Sequence, residues 1–357
     1  MDNKLRSSNL ELFRIIAMMI IVAHHYVVNS GLISVIKNNP ENINSLILLI
    51  FGWGGKTAIN CFVLITGYFM CYKDITVRKY MKLLTQVLFY NVVLGVIFVL
   101  AGYGNFSIKF LMNMLFPFNN VGNSGSFTTS YLYFFLLIPF LNLLVRNMDK
   151  SKFKALLCIL LFMYTLLPSI GFKTVFSSII WFSVIYFIGA YIRLFINMEA
   201  LDYKVLGKIC IVMLLLSWSS ILFMVKVGMY LGKFAPYFFV ADENKILALL
   251  LAISAFLFFL KLPVKNSKFI NAVSAASFGV LLIHTNSAAM RTWLWKDFLN
   301  NVGQYGTSLM IVHAIASVVG IYVVCTIIDM LRIKFLEKPI LDVSTKCVGK
   351  ILQRISL

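Results

Sequence analysis

The stretch "ELFRIIAMMIIVAHHYVVNSG", Glu11 to Gly31, decides how the rest of the chain is read. Its apolar length suits a helix crossing a bilayer, yet it carries Glu11, Arg14, His24 and His25. An ionisable group at membrane depth costs about 2.5–3.5 kcal/mol on insertion scales, so four in one helix must face partners or a water-filled cavity. At about 100° per residue, Arg14 and His25, eleven positions apart, fall on one stripe about 16 Å apart along the axis. Glu11 lies one turn before Arg14 and is placed to pair with it. His24 points about 100° away from His25, so the two have different surroundings and different tasks.

Working outward, the same apolar character fills the chain. Of 357 residues, 61% are hydrophobic and 13% charged, with a mean hydropathy of +0.89. That composition excludes an ordinary soluble domain and predicts an all-α, polytopic membrane protein. Apolar runs predict about ten transmembrane helices, near 10–32, 45–72, 83–102, 128–145, 155–171, 175–196, 208–230, 245–261, 271–290 and 307–331. The first is read as retained, because "HHY" is a poor signal-peptide core and no small-residue cleavage site follows. Residues 1–335 then form a transmembrane domain and 336–357 a short basic cytoplasmic tail.

The net charge of +19 does not mark a nucleic-acid binder, because Lys and Arg collect in short segments between apolar runs. With both termini cytoplasmic, inner segments hold 22 Lys and Arg and outer segments 9, Arg14 set aside. That bias sets the orientation. The six cysteines show no CxxC or Cys/His spacing, so neither a metal nor a disulfide framework is expected. No internal repeat is visible, and the longest polar connection, "FPFNNVGNSGSFTTS" (Phe116 to Ser130), reads as an outer loop.

The spacing from Arg14 to His25 resembles the first-helix motif of the membrane-bound acyltransferase-3 family, bacterial O-acetyltransferases of surface polysaccharides: an arginine or lysine, ten residues, then a histidine. The resemblance continues in "INCFVLITGYF" (Ile59 to Phe69), "YLYFFLLIPFLNLL" (Tyr131 to Leu144), "IYFIGAYIRLF" (Ile185 to Phe195) and "SFGVLLIH" (Ser277 to His284). Each match is weak alone, but together they keep the family's order over most of the chain. Three features depart from its pattern. Lys79 and Lys82, in "VRKYMKLL", stand where an RxxR pair often opens the third helix. A tryptophan often found before "YLY" is missing, and no esterase-like domain follows the tenth run, so the membrane domain is expected to complete acyl transfer alone.

The resemblance implies a multi-pass enzyme of the bacterial cytoplasmic membrane that moves an acetyl or other small acyl group from acetyl-CoA to a hydroxyl of a cell-envelope polysaccharide or lipid-linked glycan. No further cofactor is implied. A cation near the inner surface with a base about 16 Å deeper suits a donor that carries phosphates at one end and a thioester at the other. Arg14, with Glu11, would meet the donor. Arg78, Lys79 and Lys82 fit equally a cationic rim for the donor and ordinary positive-inside anchoring. Lysine there offers a point charge where arginine offers a fork.

His25 is the expected general base, since imidazole titrates near working pH; His24 is the second catalytic candidate. The oxyanion needs a donor, and Asn60, Thr66, Tyr68, Tyr131 and Ser277 are the acceptor-side or oxyanion candidates. Asn60 and Thr66 also suit helix packing. His284 reads either as an acceptor-side residue or as a partner of the base, whereas His313 reads as a packing residue. Tryptophans at span ends, such as Trp181 and Trp293, fit an interfacial belt better than sugar stacking. Two rival readings are a transporter or flippase, with Arg14, His24 and His25 forming a path, and an envelope-glycan polymerase. Matching broken helices in two halves would mark the former and a large outer loop the latter; neither is seen in the sequence.

Overall fold

The computed structural model describes residues 7–73, 75–118 and 127–355. The loop "NNVGNSGS" (Asn119 to Ser126), expected on the outer side, lies outside the described residues, as do Lys4 and Arg6. The described residues are helical and contain no strand. In chain order the helices are α1 (Ser8–Val28), α2 (Leu32–Asn38), α3 (Ile43–Phe51), α4 (Gly55–Met70), α5 (Val77–Leu100), α6 (Ile108–Leu115), α7 (Phe127–Asn147), α8 (Lys150–Leu161), α9 (Leu167–Ser169), α10 (Ser178–Phe195), α11 (Tyr203–Tyr230), α12 (Ile246–Lys261), α13 (Lys268–Ala275), α14 (Ser277–His284), α15 (Ala288–Thr292), α16 (Met310–Arg332) and α17 (Lys338–Ile355).

All ten apolar runs coincide with helices, but not with ten uniform spans. Among the described residues, eight helical stretches are long and apolar enough to cross a membrane; α12, at 16 residues, is shorter. The run expected as a single ninth span is broken, and Lys268–His284 and Ala288–Phe298 meet at 94°. Polar side chains at the break give the backbone alternative partners. Thr285 Oγ1 donates to the Leu281 carbonyl at 2.8 Å, and Ser287 Oγ accepts from the Met290 N–H at 3.1 Å and so starts α15. The expected tail is a helix: α17 packs on α5 through Arg78–Asp342 at 2.9 Å, while Lys82 reaches Glu337, just before α17, at 2.7 Å.

Helix α1 is central, touching α3, α4, α12, α13, α14 and α16. Apolar residues on the outside, such as Val212, Leu216 and Phe223 on α11 and Val312, Val319 and Val323 on α16, are exposed in the bundle, as a lipid-facing surface requires. Helices α4 and α10 pack almost backbone to backbone. A Cβ at Gly67 would sit 2.5 Å from the Tyr186 carbonyl oxygen, and one at Gly189 would sit 2.6 Å from that of Leu64. These glycines belong to "ITGYF" and "YFIGAY", and small residues are what let membrane helices approach this closely.

Polar contacts then show which ends lie together. The Ser8 hydroxyl meets Asn271 at 2.9 Å, and Asn9 donates to the Leu260 carbonyl at 2.9 Å, so the start of α1 lies beside the end of α12 and the start of α13. At the opposite end, Tyr26 hydrogen-bonds His313 at 2.9 Å, and Asn60 donates to the Glu243 carbonyl at 2.7 Å. The end of α1 therefore shares its level with the starts of α4, α12 and α16.

Candidate active site

Helix α1 is unbroken, so the spacing read from the sequence holds in space. Arg14 pairs with Glu11 at 3.1 Å, and Glu11 also accepts from the Ser274 hydroxyl at 2.6 Å. The carboxylate thus ties Arg14 to α13. One hundred degrees apart, the two histidines reach different neighbours. His24 Nδ1 lies 2.6 Å from the Gly52 carbonyl, at the break between α3 and α4, and its ring lies over Gly55. A Cβ on Gly55 would fall 2.4 Å from that ring, so only glycine leaves the imidazole its place.

His25 turns to the broken span. Its Nδ1 is 3.0 Å from His284 Nε2, and His284 Nδ1 is 2.6 Å from the Val280 carbonyl. A carbonyl can only accept, so His284 Nδ1 carries the proton. Neutral His284 then presents a lone pair at Nε2, to which His25 Nδ1 donates. His25 Nε2 is left with its lone pair, the form of imidazole that accepts a proton. His284 is fully buried, whereas His25 lines a cavity.

This cavity has a volume of about 1150 Å³ and lies at the end of the bundle where α1 finishes. Its walls include His24, His25, Lys56, Asn91, Glu243 and Arg291. Lys56 and Glu243 form an ion pair at 3.0 Å, and Asn286 Nδ2, at the break, donates to Asn91 Oδ1 on α5 at 3.3 Å. The 94° bend turns the chain after His284 across this end, and Arg291 on α15 lines the cavity there.

Arg14 does not line this cavity. Met18 and Ile21, both buried, stand between it and His25 along α1. The other candidates are held in separate contacts. Asn60 donates to Glu243 and accepts from Trp181 Nε1 at 3.0 Å, so both ends of its amide are engaged in packing. Thr66 meets the Tyr131 hydroxyl at 3.0 Å; the Tyr68 hydroxyl accepts from Arg193 at 2.7 Å; Ser277 meets Tyr322 at 3.3 Å. None of these five lines the cavity. Arg78 and Lys82 are paired as described above, and Lys79 is exposed beside them.

The structure therefore gathers His24, His25 and His284 at one place, and leaves Arg14 with Glu11 nearer the other end. It adds Lys56, Asn91, Glu243, Asn286 and Arg291, which sequence reasoning passed over. The polar run "HTNS" (His284 to Ser287), inside an otherwise apolar segment, was the available signal for the break.

Residues 7–330 match the model of the acyltransferase-3 family, described as an acyltransferase domain. The chain belongs to that family. No curated protein and no solved structure matched it. The match covers every residue that lines the cavity, so the cavity lies within the acyltransferase-3 domain. The protein is a multi-pass membrane acyltransferase.

Proposed function

We propose that this acyltransferase moves an acetyl or other small acyl group from acetyl-CoA to a hydroxyl of a cell-envelope glycan or lipid-linked glycan in the bacterial cytoplasmic membrane, with His25 as general base. The observation that carries this reading is the hydrogen-bond chain from the Val280 carbonyl through His284 to His25, which leaves a basic nitrogen on a residue that lines a cavity. His25 Nε2 takes the proton of the acceptor hydroxyl as its oxygen attacks the thioester carbonyl. The C–S bond then breaks, and the CoA sulfur leaves as a thiol with the proton returned by the imidazolium. His284 is a positioning residue that holds His25 in the required tautomer; His24, fixed by Gly52, stands on the same wall.

In this reading the donor enters from the end where Lys and Arg are densest, the cytoplasmic side, and its phosphates meet Arg14. The thioester arm spans the roughly 16 Å to His25, which requires Met18 and Ile21 to give way. Discontinuous helices are also a device of transporters, which use them in matching halves; among the described residues there is one bent pair.

The test is acetyl transfer by purified protein supplied with labelled acetyl-CoA and envelope glycan, read as ester-linked acetate and released CoA thiol. His25→Ala is expected to lower the rate by about 10²–10⁴-fold with an unchanged unfolding temperature. Wild-type transfer by His25→Ala would remove the base from the mechanism; no CoA release by the native protein would remove the donor.

A further inference from the structure

The cavity wall carries one lysine and one arginine, Lys56 and Arg291, and they differ. Lys56 is neutralised by Glu243 at 3.0 Å. The Arg291 guanidinium has no hydrogen bond and no carboxylate partner among the described residues, although Arg291 lines the same cavity as His25. A half-buried guanidinium that faces a cavity without a carboxylate partner keeps its forked donors for a ligand, and ionisable groups on such cavities of membrane proteins mark substrate paths. The bend between α14 and α15 is what places it there, seven residues beyond His284. The same wall carries the amides of Asn91, Asn105 and Asn286; Asn91 and Asn286 bond each other through Oδ1 and Nδ2, which leaves the Asn91 NH2 and the Asn286 carbonyl for hydroxyl groups.

We propose that Arg291 seats an anionic group of the acyl acceptor, a phosphate or carboxylate, so that the substrate is an acidic, polyhydroxylated molecule whose hydroxyl is presented to His25. The inference rests on reading the cavity as the acyl-transfer site. Guanidinium matches both anions through two parallel N–H···O contacts, which positions as well as attracts. The donor's phosphates are assigned to the other end of the bundle, at Arg14. The anion could come from a phosphate at the reducing end of a lipid-linked sugar or from a uronic acid in a polymer; both present the same chemistry to Arg291.

Full-length protein in neutral detergent, without acyl donor, is titrated with glucose, glucose 1-phosphate and glucuronate, and separately with CoA. The expected result is saturable binding of at least one of the two anions and much weaker binding of glucose. Arg291→Gln should weaken anion binding about ten- to a hundred-fold, with Arg291→Lys between it and the native protein, and with the unfolding temperature of all three alike in the absence of sugar. Preference for glucose 1-phosphate would point to a phosphorylated acceptor, preference for glucuronate to a uronic acid, and either supports the proposal. Equal binding of glucose and both anions, unchanged anion binding in Arg291→Gln, or loss of CoA binding instead would overturn it. Because no acyl transfer is measured, failure of the catalytic reading leaves this result standing, and the reverse also holds.

Discussion

Two clusters of ionisable groups are buried in this bundle, and they are built on opposite plans. Near the end of α16, Asp329 accepts from the Tyr90 hydroxyl at 2.7 Å, from Gln86 at 3.3 Å and from Arg332 Nε at 2.6 Å. Arg332 continues to Glu337 at 3.3 Å, and Lys82 meets the same carboxylate. Asp329 is fully buried, its charge is opposed, and its oxygens are occupied. The histidine cluster is also hydrogen-bonded along its length, but its chain ends in an imidazole nitrogen on a cavity-lining residue. If the histidine cluster is the acyl-transfer site, burial of ionisable groups in a membrane helix is not what separates function from structure. The separation would then lie in whether a valence is left over and whether a substrate has room to reach it. Helix α14 joins the two clusters, since His284 ends it, and a Cβ at its Gly279 would fall 2.1 Å from the Asp329 carboxyl carbon.

If the acidic cluster is structural, Asp329→Ala strands Arg332 in the bundle and should cost about 3–5 kcal/mol of stability, seen as a large drop in thermal unfolding temperature. The fraction that remains folded should keep most of its acyl transfer. Loss of transfer with full stability would mean that the two clusters act as one catalytic unit.

A smaller effect is expected from His284→Phe, which keeps a ring but removes the acceptor for His25 Nδ1. Partners that orient metal-bound imidazoles contribute about 10–100-fold, and the same order is expected for a partner that orients a catalytic one. The rate should fall by that factor, and the pH–rate profile should shift because His25 has lost the partner that sets its tautomer. An unchanged profile would make His284 a packing residue only.

The smallest effects come from a pair of glycines that sharpens the comparison through α14. Gly279→Ala forces a methyl into Asp329 and should cost about 1–3 kcal/mol by overpacking, with some loss of transfer as α14 shifts His284. Gly320→Ala, on α16 with nothing within 4 Å, should instead stabilise by up to about 1 kcal/mol through helix propensity. Equal responses from the two, followed by thermal unfolding, would mean that α14 is not held against Asp329.

What could be read from the sequence is what depends on near neighbours along the chain. Apolar run lengths located the helices, the i, i+3 relation paired Glu11 with Arg14, and the 100° step separated His24 from His25, because helical geometry is fixed within a few residues. The five motif segments also carried the resemblance that the family match bears out. Tertiary structure decided the rest. His25 meets His284 across 259 positions, Lys56 meets Glu243 across 187, and Gln86 and Tyr90 meet Asp329 across 243 and 239. Such pairs are set by how helices pack and cross, which no local period encodes. The break after His284 belongs to the same class: "HTNS" permits it, but the 94° turn that brings Arg291 to the cavity exists only because the surrounding helices receive both halves.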